Sequence, residues 1–172
     1  MKRVIKGFLF LAVFVLFSAF MKQLKVNPSV LDASGYILES DKKVEGAIVR
    51  LYQDNLIVDK LSTKKNGKFR FMLFSNSEYM IEINKTDCVQ ERVYLSTKNE
   101  GAMANKYYFE FVVDLMKLKE FEGVDVSNLD FPTALIKYDM DADEYVHDKM
   151  YSRNVRADLR KLKEEKRLLK SK

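Results

Sequence analysis

The chain has no tryptophan, one histidine and one cysteine, and each scarcity removes a class of chemistry. A lone cysteine, Cys88, cannot build an internal disulfide framework. It reads as a small buried side chain, since Asp87 beside it works against a reactive thiolate. The lone histidine, His147, has neither a second histidine nor a cysteine cluster to join, which argues against a zinc site and against a histidine-based triad. The missing tryptophan lowers the case for a carbohydrate platform, which wants exposed aromatic rings. Two prolines and six glycines are too few for a low-complexity linker. Gly-x-Ser-x-Gly, Walker-type and dinucleotide glycine patterns are absent. What remains is 172 residues, 47% of them hydrophobic, enough for one cored domain and a short appendage.

Charge is laid out unevenly. Of a net +5, residues 1–22 hold +4 and residues 149–172 hold +7, which leaves −6 for the body between them. An acidic domain with basic ends is a poor nucleic-acid binder, whatever its overall pI, so no nucleic acid is expected as a partner.

Residues 1–6 are basic, and residues 7–21 follow as a run without charge. That length suits the apolar core of a signal peptide and falls short of the ~20 residues of a spanning helix. Ser18 and Ala19 are small, but Phe17, Phe20 and Met21 crowd any cleavage site. A cleaved signal and an uncleaved anchor both fit. Either one puts the body outside the cytoplasm, in a periplasm or cell envelope, because the basic residues precede the apolar run.

From residue 34 onward the apolar residues alternate with period two, the mark of half-buried strands. Ala47, Val49 and Leu51 share a face; so do Phe69, Phe71 and Leu73; Tyr79, Ile81 and Ile83; and Phe109, Phe111, Val113 and Leu115. Residues 35–39, 56–63 and 90–96 complete about seven strands. Their short spacing predicts an antiparallel sandwich, with Asn66-Gly67 as the strongest hairpin signal.

The order Ser34-Gly35-Tyr36-Ile37, then Gly46-Ala47-Ile48-Val49, then Thr63 with Asn66-Gly67-Lys68-Phe69, then Tyr79-Met80-Ile81 resembles the carboxypeptidase regulatory-like domain. The likeness covers residues 34–97. It implies a prealbumin-like (transthyretin-like) seven-stranded β-sandwich in an envelope protein of Bacteroidota-like bacteria, serving as a non-catalytic spacing or docking module. One departure stands out: a Gly-Tyr pair common after the Tyr-x-Ile strand is Asp87-Cys88 here, so a function tied to that tyrosine does not carry over.

Beyond the sandwich, residues 124–132 read as an ordered connection. Residues 134–138 and 144–146 alternate again, as an added hairpin or an extended arm on the sandwich. Residues 149–172 read as a helix with Val155, Leu159, Leu162 and Leu169 on one seam, which Lys166 interrupts. Arg156–Arg160, Lys163–Arg167 and Lys166–Lys170 are like-charged pairs four apart, which weaken an isolated helix. No aromatic residue follows Tyr151, which disfavours base stacking and deep membrane insertion. Asp139-x-Asp141-x-Asp143 resembles the opening of an EF-hand loop, but Glu144 and Met150 stand where a glycine and an acidic ligand are needed.

These readings divide the chain into a signal peptide or anchor (1–22), a β-sandwich (30–118), an arm or hairpin (119–148) and a basic helical tail (149–172). The fold expected is mainly β: a seven-stranded antiparallel prealbumin-like sandwich with an N-terminal signal or anchor helix and a C-terminal basic α-helix. The function expected is a non-enzymatic envelope protein without metal or cofactor. Its tail would contact a larger envelope assembly through Arg153, Arg156, Arg160, Lys163 and Arg167, with Val155, Leu159 and Leu162 seating the helix. Membrane association would come through residues 7–21. The alternative is an extracytoplasmic module binding a glycan or peptide at residues 54–55 or 75–78; a small-molecule ligand is not expected.

Overall fold

A computed structural model describes residues 29–98, 106–124 and 131–170 of the chain. The signal or anchor expected at residues 1–22 and most of the connection expected at residues 124–132 lie outside the described residues. Among the described residues ten strands precede one α-helix: β1 (Ser29–Glu39), β2 (Lys42–Lys43), β3 (Ile48–Gln53), β4 (Leu56–Ser62), β5 (Lys68–Phe74), β6 (Glu78–Asn84), β7 (Glu91–Ser96), β8 (Tyr107–Asp114), β9 (Ala134–Asp139), β10 (Glu144–His147) and α1 (Lys149–Lys170).

The strands form two sheets. In the smaller one, β1 pairs with β5 and with the short β2, and lies parallel to β8. The larger runs β10-β9-β7-β6-β3-β4. The alternation sets which residues meet between them. Leu31, Ala33, Ile37, Phe69, Phe71, Leu73, Phe111 and Val113 come from the first sheet; Val49, Leu51, Tyr79, Ile81, Ile83, Val93, Leu95 and Ile136 come from the second. All are buried, and burial of this apolar surface is the main force holding the sheets together. The protein is a mainly β sandwich with a C-terminal helix, and the seven expected strands correspond to β1 and β3–β8.

Three features differ from the expectation. First, two ladders are parallel, β1 with β8 and β7 with β9; alternation sets the face of a strand but not its direction. Second, of the hairpin or arm expected, the hairpin is what forms, and it is part of the sheet and not laid upon it. β9 and β10 pair as a hairpin and extend the larger sheet beyond β7, so residues 134–147 belong to the sandwich. Third, Asn66-Gly67 is not a hairpin turn. It links β4 in one sheet to β5 in the other, through a Gly67 N–H to Lys64 carbonyl bond of 2.8 Å. Gly67 has φ +65°, and a Cβ there would lie 2.7 Å from the Ile37 carbonyl oxygen. The tight hairpin turns are at Ser40-Asp41 and Asp54-Asn55, where all four residues take positive φ without any glycine.

Gly35 explains the Ser-Gly motif physically. A Cβ at this position would sit 2.1 Å from the Phe111 carbonyl oxygen and 2.8 Å from the Phe69 ring. Only a residue without a side chain lets β1 run between β5 and β8 at that level. Thr63 and Thr97 pin loops to strand ends. Thr63 Oγ1 donates to the Val44 carbonyl at 2.7 Å and accepts the Ala47 N–H at 3.0 Å. Thr97 Oγ1 donates to the Phe74 carbonyl at 2.7 Å and accepts the Ser77 N–H at 3.0 Å. Both threonines are buried, where an unpaired hydroxyl would be costly.

Candidate functional site

Helix α1 starts where Asp148 can cap it. Asp148 Oδ1 accepts the Tyr151 N–H at 3.0 Å, and Oδ2 accepts from Lys137 Nζ at 2.9 Å. The Tyr151 amide, then Lys137, hold the Asp148 carboxyl below its ordinary pKa. Tyr151 donates its hydroxyl to the Pro132 carbonyl at 2.5 Å, tying the first turn to the start of the β9 segment.

One face of α1 packs onto its own domain. Val155 is buried. Leu159 and Leu162 pack with Met116 and Phe131 around a second apolar cluster, Val89 and Phe121. Lys166, which breaks the leucine seam in sequence, keeps its place on this face. It is only 9% exposed, and its ammonium donates to the Lys119 carbonyl in the 3-10 turn Leu118–Phe121. The seat therefore runs Val155, Leu159, Leu162, Lys166. Val155, Leu159 and Leu162, expected to seat the helix on an assembly, seat it on the sandwich instead, and Leu169 at the far end is 49% exposed.

The five expected contact cations fall together on another face, where Lys149 joins them. Lys149, Arg153, Arg156, Arg160, Lys163 and Arg167 follow one another at intervals of four and three residues. At 100° per residue they form one row about 27 Å long. All six are exposed. Among the described residues only Arg167 is in an ion pair, with Glu164 at 2.7 Å. The Nε atoms of Arg156 and Arg160 donate to the carbonyls of Ser152 and Arg156 at 3.0 and 3.2 Å, bonds that leave the charge unneutralised. Asp158 pairs with Lys161 off the row. A shallow groove of about 650 Å³ runs beside the row, with Leu159 as its apolar member.

The other polar clusters are occupied by structural contacts. Glu82, on β6, accepts from Arg50 at 2.9 Å, Asn84 at 2.9 Å and Gln90 at 2.8 Å; Tyr52 and Arg92 complete its shell at 3.3 and 3.5 Å. Asp139 accepts the N–H groups of Asp141 and Ala142, capping its own turn. Asp143 accepts from Tyr107 at 2.6 Å and from Tyr138. These contacts draw two of the three EF-hand-like carboxylates, Asp139 and Asp143, into the β9–β10 turn. Among the described residues no group of three or more His, Cys, Asp or Glu is placed to hold a metal ion. His147 lies edge-on to Phe109 and Phe111, with centroids 5.2 and 6.5 Å away, and desolvation lowers its pKa. Cys88 is buried, and burial, then the Glu39 carboxylate, raise its thiol pKa.

Sequence reasoning missed Glu91, because nothing in its neighbours marks it. It is 3% exposed on the inward face of β7, and burial pushes its pKa up to about 7, against a bond with Thr133. The alternative ligand loops do adjoin: Gln53 Nε2 donates to Ser77 Oγ at 3.2 Å. Tyr79 beside them is buried, whereas Phe74, which leads into the 75–78 loop, is 45% exposed.

No protein-family model matches the chain, and no curated protein does. Solved structures similar to it include 3-chlorocatechol 1,2-dioxygenase from Rhodococcus opacus 1CP, at 11% identity and TM-score 0.41, over 55% of this chain and 63% of that one. Catechol 1,2-dioxygenase from Acinetobacter sp. ADP1 aligns at 12% identity and TM-score 0.42, over 64% of this chain and 59% of that one. 5-Hydroxyisourate hydrolase from Klebsiella pneumoniae aligns at 13% identity and TM-score 0.35, over 48% of this chain and 84% of that one. The chain thus spans less than two thirds of the length of the two dioxygenases.

Proposed function

We propose that this protein is a non-catalytic docking module of the cell envelope, of the carboxypeptidase regulatory-like kind, exported by residues 1–22. In this reading the sandwich is a rigid body, and α1 is the surface it offers to a larger assembly. The observation that carries the reading is the division of labour on α1. Its apolar seam is occupied by the domain, while Arg153, Arg156, Arg160 and Lys163 stand exposed and without an ion pair among the described residues. Fixing the helix on a folded body lowers the entropy lost when it binds, and unpaired charge steers an anionic partner toward it.

A non-catalytic role draws support from the polar side chains. The carboxylates of Glu82, Asp139 and Asp143 are taken up by structural hydrogen bonds, and the lone histidine packs on phenylalanine.

The test is crosslinking in native cells of the wild type beside a variant with Arg153, Arg156, Arg160 and Lys163 all changed to Glu. The reading expects specific partners that disappear in the variant while its melting temperature stays within a few degrees. Partners that persist would move the interface to the sandwich. No partner in either form, with binding on a glycan array, would favour the ligand-binding alternative.

A further inference from the structure

We infer that the basic row of α1 lies against an anionic phospholipid headgroup layer, an inference that rests on the reading of this row as the contact surface. The tightest protein interfaces centre on an apolar or aromatic patch inside a polar rim. The row lacks one. Val155 is buried and Leu162 packs on the domain; Leu159, half-buried in the same cluster, is the single apolar residue lining the groove beside the row, and no aromatic residue follows Tyr151. What faces outward along this side is a straight line of six cations, Lys149, Arg153, Arg156, Arg160, Lys163 and Arg167, about 27 Å long, with Leu168 exposed beside its far end. Such a line matches a flat sheet of phosphodiesters, to which each basic residue adds attraction without shape-specific contacts. The helix would lie on the surface and not enter it, since an inserting helix turns its apolar face to the lipid and this one has turned it to the sandwich.

Two further observations favour lipid over an acidic protein. The body between the basic ends carries −6, so an anionic surface repels the sandwich and attracts α1, which orients the molecule with the helix inward. The chain also carries the uncharged apolar run at residues 7–21. An adjacent membrane is the one anionic surface that such a run brings near, whether the run is transient or retained.

Lysine footprinting of the full chain tests this, with Lys161 as internal control. Lys161 lies off the row, paired with Asp158, whereas Lys149 and Lys163 lie on it. The protein is reconstituted with vesicles of phosphatidylcholine alone, or of phosphatidylcholine mixed with phosphatidylglycerol, and acylated briefly before mass spectrometry. The inference expects Lys149 and Lys163 to react several-fold more slowly in the anionic vesicles, Lys161 to be unchanged, and high salt to abolish the difference, because charge contacts at a surface are screened. Equal reactivity in both vesicles would overturn it. So would protection that is as strong on phosphatidylcholine, which would come from the apolar N-terminus and not from headgroup charge. If protection is absent while the charge-reversed variant still loses its partners in cells, the lipid inference falls and the docking reading stands.

Discussion

If α1 is part of the folded domain, changing Leu159 and Leu162 together to Ala must lower its stability. Full burial makes a Leu→Ala change cost about 2–5 kcal/mol. Both leucines are partly buried around Val89 and Phe121, so about half that range applies to each, and the pair should cost roughly 2–5 kcal/mol. For a domain of this size that lowers the melting temperature by roughly 5–15 °C. Urea titration followed by circular dichroism checks the value, with Met150→Ala as control. Met150 is on the same helix and 67% exposed, so its loss should change stability by no more than about 0.5 kcal/mol. If the double variant melts like the wild type, the helix is a loosely attached tail, and the fixed presentation of the basic row fails with it.

Three further outcomes follow from packing and charge. Gly35→Ala puts a methyl 2.1 Å from the Phe111 carbonyl oxygen, so β1 and β8 must part; we expect a loss of at least about 3 kcal/mol, seen in urea unfolding or as failure to fold. Glu91 is protonated in the folded state up to a pKa of about 7 but ionises near 4.3 when unfolded. Stability should therefore be unpenalised below about pH 4, fall as pH rises toward 7, and stay reduced above it. Glu91→Gln should match the wild type in acid and exceed it by up to about 3 kcal/mol at pH 8; equal stability at both pH values would refute the buried-acid assignment. Cys88, buried with its thiol pKa raised, should resist a thiol reagent at neutral pH and react once urea unfolds the chain; rapid labelling of the native protein would contradict its placement.

How far the fold could be read from sequence depended on whether a feature is local. Alternation at Phe69, Phe71 and Leu73, or at Tyr79, Ile81 and Ile83, exposed both the strands and the faces they bury. The β9–β10 pair was equally visible. Direction and partnership were not, because an alternating strand reads the same whether its neighbour is parallel or antiparallel; hence the β1–β8 and β7–β9 ladders could not be foreseen. Asn66-Gly67 marks a backbone able to take positive φ, and the same signal serves a turn between sheets as well as a hairpin. Conversely, Ser40-Asp41 and Asp54-Asn55 take that conformation without glycine and gave little warning. At the candidate site, the helix, its seam and its cations could all be read. What the seam packs against could not: Val89, Met116, Phe121 and Phe131 lie in connecting segments without periodicity. Lys166 read as an interruption because hydropathy ignores the carbonyl that its ammonium reaches.

The most direct test of the account is to compare the reactivity of Lys149 and Lys163 with that of Lys161 in native cells and in the purified protein in detergent. A row that serves as the contact surface is covered in the cell, so the two row lysines should be protected there while Lys161 reacts alike in both settings. Equal reactivity of all three in cells and in isolation would mean that nothing docks on α1, and the function would have to be sought on the sandwich.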